Sequence, residues 1–208
     1  MKVLTTLGLS LFLFILPTFL HAQETSDLDV AVGSDAELTY LEKEGLYYLR
    51  EQTKLVRDLF HTFYNMYGTK VYTRIARKEQ RHFDRIGLLL EKYQLEDPVV
   101  DKSVGIYENP IFEELFHELS TSGSENNLNA LYVGAYLEEI VILDLKNALL
   151  DTEARDIRRV YEKLLNDAKK QLRLFVRNIE KQEVDVLYQP QNMTEEDLAE
   201  ILRRWDLD

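Results

Sequence analysis

Ile75-Ala76-Arg77-Lys78-Glu79-Gln80-Arg81-His82-Phe83-Asp84-Arg85-Ile86 is the stretch that decides the fold. Extended in both directions, its steps of three and four give one line: Val71, Ile75, Glu79, His82, Ile86, Leu89, Tyr93. That spacing is one face of an α-helix, and the face is apolar except at its centre. Glu79 and His82 form Glu-x-x-His, which points a carboxylate and an imidazole at one spot, as in carboxylate-bridged metal bundles.

The same reading finds three further long helices. One line runs Leu128, Leu131, Ala135, Glu138, Ile142, Leu145, Leu149, and another runs Ile157, Val160, Leu164, Ala168, Gln171, Phe175. The first helix gives Leu38, Leu41, Gly45, Leu49, Gln52, Val56, Phe60, Phe63, with Glu51 one position to the side. Each line carries a polar residue near its middle. A buried carboxylate without a partner costs several kcal/mol, so the layer needs a cation, a proton or hydrogen-bond partners. Two readings follow. In one, Glu79, His82, Glu138 and Glu51, with Glu44 in reserve for Glu51, hold one iron, manganese or zinc ion. In the other, His82 pairs with Glu79 or Glu138 and Gln171 satisfies the remainder.

Glycine and proline punctuate the rest. The long helices are expected over about 36–67, 69–93, 125–150 and 151–182. Gly68 ends the first. Asn109-Pro110 opens a short helix to about Ser120 within the second connection, and Thr194-Glu195-Glu196-Asp197 opens a last one to about Arg204. The fold class is all-α: a four-helix bundle over 36–182, then a linker and C-terminal amphipathic helix over 183–208. Leu198, Ile201, Leu202 and Trp205 form that helix's apolar stripe. It is expected to dock on the bundle; the alternative is a second subunit or a protein partner.

Residues 1–22 read as a secretory signal: Lys2, an apolar run from Leu4 to Leu20, then Leu20-His21-Ala22 before polar residues. Residues 23–35 are a flexible leader. The expected location is the periplasm or exterior of a bacterium. With 37 acidic and 25 basic side chains the net charge is −12, which disfavours nucleic acid and anionic membranes as partners. No cysteine is present, so thiolate catalysis, disulfides and iron–sulfur clusters are excluded. No stretch beyond the signal approaches the ~20 apolar residues of a membrane span. No Ser-His-Asp arrangement is apparent, and His61 and His117 lack a carboxylate at ligand spacing. The tyrosines around the first helical hairpin (Tyr47, Tyr48, Tyr64, Tyr67, Tyr72) read as packing residues.

Several motifs occur in order: Glu79-Gln80-Arg81-His82, Leu95-Glu96-Asp97-Pro98, Gly105-Ile106-Tyr107-Glu108-Asn109-Pro110, Gly134-Ala135-Tyr136-Leu137-Glu138-Glu139, and Asp156-Ile157 with Val160-Tyr161. Over roughly residues 37–180 the chain resembles the ferritin-like family catalogued as domain of unknown function 2202. The resemblance implies a ferritin-like bundle with an iron site, and no settled activity. The departures all remove potential ligands. Where the family carries three consecutive glutamates, this chain reads Glu51-Gln52-Thr53; a family aspartate is replaced by Val141, and a family histidine by Gln171. The resemblance therefore implies a degenerate site and, at most, a degenerate oxidoreductase.

Overall fold

The computed structural model describes residues 37–182 and 187–203. The expected signal segment, the leader, part of the linker and Trp205 lie outside the described residues. Among the described residues six helices form: α1 Tyr40–Tyr67, α2 Lys70–Lys92, α3 Pro110–Gly123, α4 Asn127–Leu150, α5 Arg155–Gln182 and α6 Glu195–Arg203. Among the described residues there is no strand, and no helix is long and apolar enough to cross a membrane. The fold class is all-α.

Local chemistry sets the helix ends. Thr39 caps α1: its hydroxyl accepts from the Glu42 N–H at 3.2 Å, while Glu42 Oε2 accepts from the Thr39 N–H at 2.9 Å. Glu42 Oε1 also accepts from the N–H groups of Glu153 and Ala154, so one buried carboxylate serves the starts of two helices. Gly68, at φ +65°, closes α1 in the left-handed region that glycine adopts without strain. α5 starts four residues later than expected. Thr152, which resembles an N-cap in sequence, instead donates its hydroxyl to Ala148 O at 2.6 Å and so finishes α4.

The long helices pack in a cycle: α1 on α2, α2 on α5, α5 on α4, and α4 on α1, with α3 against α1 and α4. Their apolar faces form two cores. One includes Phe60, Phe63, Tyr72, Phe175 and Leu172; the other includes Leu46, Leu49, Ile86, Leu145 and Leu164. Each such side chain contributes roughly 1.5–3 kcal/mol on full burial. Leu41 departs from its expected line and is 40% exposed, while Glu42 and Leu46 turn inward.

The connection between α2 and α3 is fastened to α1. Lys54, fully buried, donates to Asp58 Oδ2 at 2.7 Å and to the carbonyls of Ser103 and Ile106 at 2.6 and 2.9 Å. All three ammonium hydrogens are thereby satisfied, which makes a buried lysine tolerable. α6 docks on its own chain: Leu198 and Ile201 are buried in the larger core, and Arg173 Nη1 donates to Ile201 O.

Candidate functional site

Between the two cores lies the polar layer. Gln52 comes from α1, Glu79 and His82 from α2, Glu138 from α4, and Asp167 and Gln171 from α5, and all six are buried. The alignment follows from the three-and-four spacing, which sets these residues at similar depth on helices packed side by side.

His82 is held from both sides. Its Nδ1 lies 3.2 Å from Glu79 Oε2, and its Nε2 lies 3.2 Å from Asp167 Oδ2. Asp167 also pairs with Lys78 Nζ at 2.9 Å. Burial pulls the imidazole toward neutrality, but the Glu79 charge and the hydrogen bonds donated to Asp167 and Glu79 outweigh it and push the pKa up to about 9. His82 is therefore an imidazolium at neutral pH. For Asp167 burial works upward, and the bonds from His82 and Lys78 overcome it and hold the carboxyl well below the usual range.

Glu138 differs. Burial raises its pKa most, the Glu79 charge adds to the effect, and Lys78 opposes weakly, so the carboxyl stays well above the ordinary range. Its Oε1 has no hydrogen-bond partner. Gln171 Nε2 donates to Glu79 Oε1 at 2.7 Å, while Gln52 Nε2 donates to Asp144 Oδ2 at 2.6 Å. Gln52 Oε1 and Gln171 Oε1 are likewise buried without a partner. A cavity of about 10 Å³ lies here, with Gln52, Glu79, His82, Val141 and Gln171 in its wall.

The four residues expected to act together are only partly assembled. Glu79 and His82 are in contact, and Glu138 is near enough to feel the charge of Glu79. Glu51 turns elsewhere: its Oε2 accepts from the N–H groups of Glu108 and Asn109 at 2.9 and 3.0 Å, anchoring the start of α3. Glu44, the reserve, is exposed.

As placed, Glu79, His82, Asp167 and Gln171 bond to one another. A ligating histidine needs one nitrogen lone pair free while the other ring N–H is oriented by a second group. Here Nε2 of His82 faces Asp167 and Nδ1 faces Glu79. Gln171 stands where a histidine would be wanted and engages Glu79. Among the described residues, no three His, Asp or Glu side chains stand so that they could hold one ion. The contacts formed are those of a hydrogen-bonded core layer.

Sequence reasoning missed Asp167, which sits beside the apolar line in a strongly charged stretch. Its one signal was the four-residue spacing to Gln171. A larger surface hollow of about 570 Å³, lined by Val104, Pro110, Glu113, Phe116 and His117 among others, lies apart from the layer.

Residues 42–204 match the family model described as "Uncharacterized protein domain (DUF2202)". "Uncharacterized protein MJ0754" of Methanocaldococcus jannaschii is 40% identical over 161 residues, covering 77% of this chain and 86% of that protein. The crystal structure of hypothetical protein MJ0754 is similar at a TM-score of 0.78 and 37% identity, covering 83% of this chain and 98% of that one. Neither name states an activity.

Proposed function

The chain belongs to the DUF2202 family of uncharacterized protein domains, and on that premise we propose that it is an exported, ferritin-like four-helix bundle working without a resident transition-metal ion. It is a non-catalytic interaction module that acts through its surface. The observation that carries this reading is His82, whose two ring nitrogens are both engaged by carboxylates, Glu79 and Asp167. Glu79 and Asp167 are paired with His82 and Lys78, and Lys163 also lies 3.5 Å from Asp167. The cyclic packing of α1, α2, α5 and α4 supports the bundle assignment. Export rests on Lys2, the apolar run to Leu20 and Ala22. α6 spends its buried apolar residues within the chain, so the surface offered to partners lies elsewhere.

The test is metal content of the exported protein after anaerobic loading with iron, manganese or zinc and desalting, beside Glu79→Ala and His82→Ala. Retention well under one equivalent, unchanged in both variants, is expected. Near-stoichiometric metal that both substitutions abolish would overturn the reading. Mass spectrometry of the same material should place the new N-terminus at Gln23; an intact Met1 would refute export by cleavage.

A further inference from the structure

Two carboxylates dictate how the amides of Gln52 and Gln171 are turned. Gln52 Nε2 lies 2.6 Å from Asp144 Oδ2, and Gln171 Nε2 lies 2.7 Å from Glu79 Oε1. Reversing either amide would press a carbonyl oxygen against a carboxylate oxygen, so each N–H₂ is held toward its acid. The consequence falls on the other end of each amide. Both Oε1 atoms are buried without a hydrogen-bond partner, and both side chains line the same cavity of about 10 Å³.

An unsatisfied buried acceptor keeps its full desolvation penalty, and here two of them sit beside one void. Both groups are acceptors, so what they lack is a donor or a positive charge. A space of roughly 10–15 Å³ admits one water-sized occupant. Charge decides between an ion and water. Glu79 and Asp167 are already paired with His82 and Lys78, so they are poorly placed to repay the dehydration of an ion. Val141, also in the wall, offers no further ligand.

Resting on the metal-independent reading above, we propose that this cavity binds a single water molecule that donates one hydrogen to Gln52 Oε1 and the other to Gln171 Oε1. The water closes a hydrogen-bonded chain from Asp144 through Gln52, the water, Gln171, Glu79 and His82 to Asp167. That chain links α4, α1, α5 and α2, so one water cross-links all four long helices.

A crystal structure of the full chain at a resolution showing ordered water, with anomalous data at the iron, manganese and zinc edges, tests this. The expected result is one peak without anomalous signal, about 2.7–3.2 Å from both Oε1 atoms. An empty cavity, or a peak touching one carbonyl alone, overturns the water site and leaves the metal-independent reading standing. An anomalous peak sinks that reading and the water site with it. In solution, wild-type protein should show a long-lived water contact to the Gln171 side chain by NMR. Gln52→Met should abolish that contact while the amide spectrum stays folded; its persistence would overturn the bridge.

Discussion

His82 is where proton and structure are most tightly linked. Its folded pKa of about 9 stands above the ordinary 6.5, so its contribution to stability is complete below pH 6.5 and is lost as pH rises through 9. The size is on the order of 3 kcal/mol, undiscounted because the ring is buried. Asp167 works in the opposite sense: its lowered pKa contributes above the ordinary carboxyl range, and that share is lost as pH falls toward its folded value. Taken together, these two groups contribute most between roughly pH 4 and 6.5. Urea unfolding of wild type and His82→Gln should show a gap that shrinks by about 3 kcal/mol between pH 6 and pH 10. A constant gap would mean that His82 is not held as an imidazolium. The two glutamines give a second prediction at this scale. Gln52→Glu combined with Gln171→His supplies a carboxylate and an imidazole beside Glu79, so the double variant should retain about one equivalent of iron or zinc that wild type does not hold. A folded double variant without metal would show that these amides are not what keeps metal out.

At the scale of elements, most of what could be read from sequence was local. Gly68 and Asn109-Pro110 act within a few residues of themselves, and the ends they mark lie where the sequence places them, whereas α1 starts at Tyr40 rather than near residue 36 because Thr39 caps it. The start of α5 was expected at residue 151 and lies at Arg155, because a threonine hydroxyl can serve a helix start or a helix end and that of Thr152 bonds Ala148 O. The depth of Glu79, His82, Glu138 and Gln171 was legible because spacing alone sets it. The direction of Glu51 was not, since its partners at Glu108 and Asn109 are supplied by a distant loop. This yields a prediction that separates an anchor from a ligand. Glu51→Ala leaves two backbone N–H groups without their acceptor and should cost about 1–3 kcal/mol. Hydrogen exchange at Glu108 and Asn109 should accelerate while His82 keeps its elevated pKa. A shifted His82 titration with unchanged exchange at those amides would instead place Glu51 in the polar layer.

The whole molecule turns on how its last segment is attached. Glu139, fully buried on α4, accepts from the Tyr188 hydroxyl at 2.7 Å and from the N–H groups of Gln191 and Asn192 at 2.8 and 2.5 Å. Burial raises its pKa, and these bonds only partly offset that, so the carboxylate depends on the segment as much as the segment depends on it. Beyond it, Lys146 meets Asp197 at 3.4 Å, and Leu198 and Ile201 enter the larger core. The apolar stripe could be seen in the sequence, but its target could not: Glu139 looks like a surface companion of Glu138 until residues 188–192 are laid against it. Glu139→Ala removes three bonds at once and should lower stability by about 2–4 kcal/mol. Amides of α6 should then exchange faster than those of α1, α2, α4 and α5, because the segment is held from one side only. Once loosened, Leu198 and Ile201 offer an apolar face to any second copy, so the variant should associate with rising concentration where wild type stays monomeric. Light scattering across a concentration series, with exchange measured on the same samples, checks both parts. Unchanged α6 protection in the variant would show that the apolar residues alone hold the segment. Association already present in wild type would show instead that the chain meets its partner through another face.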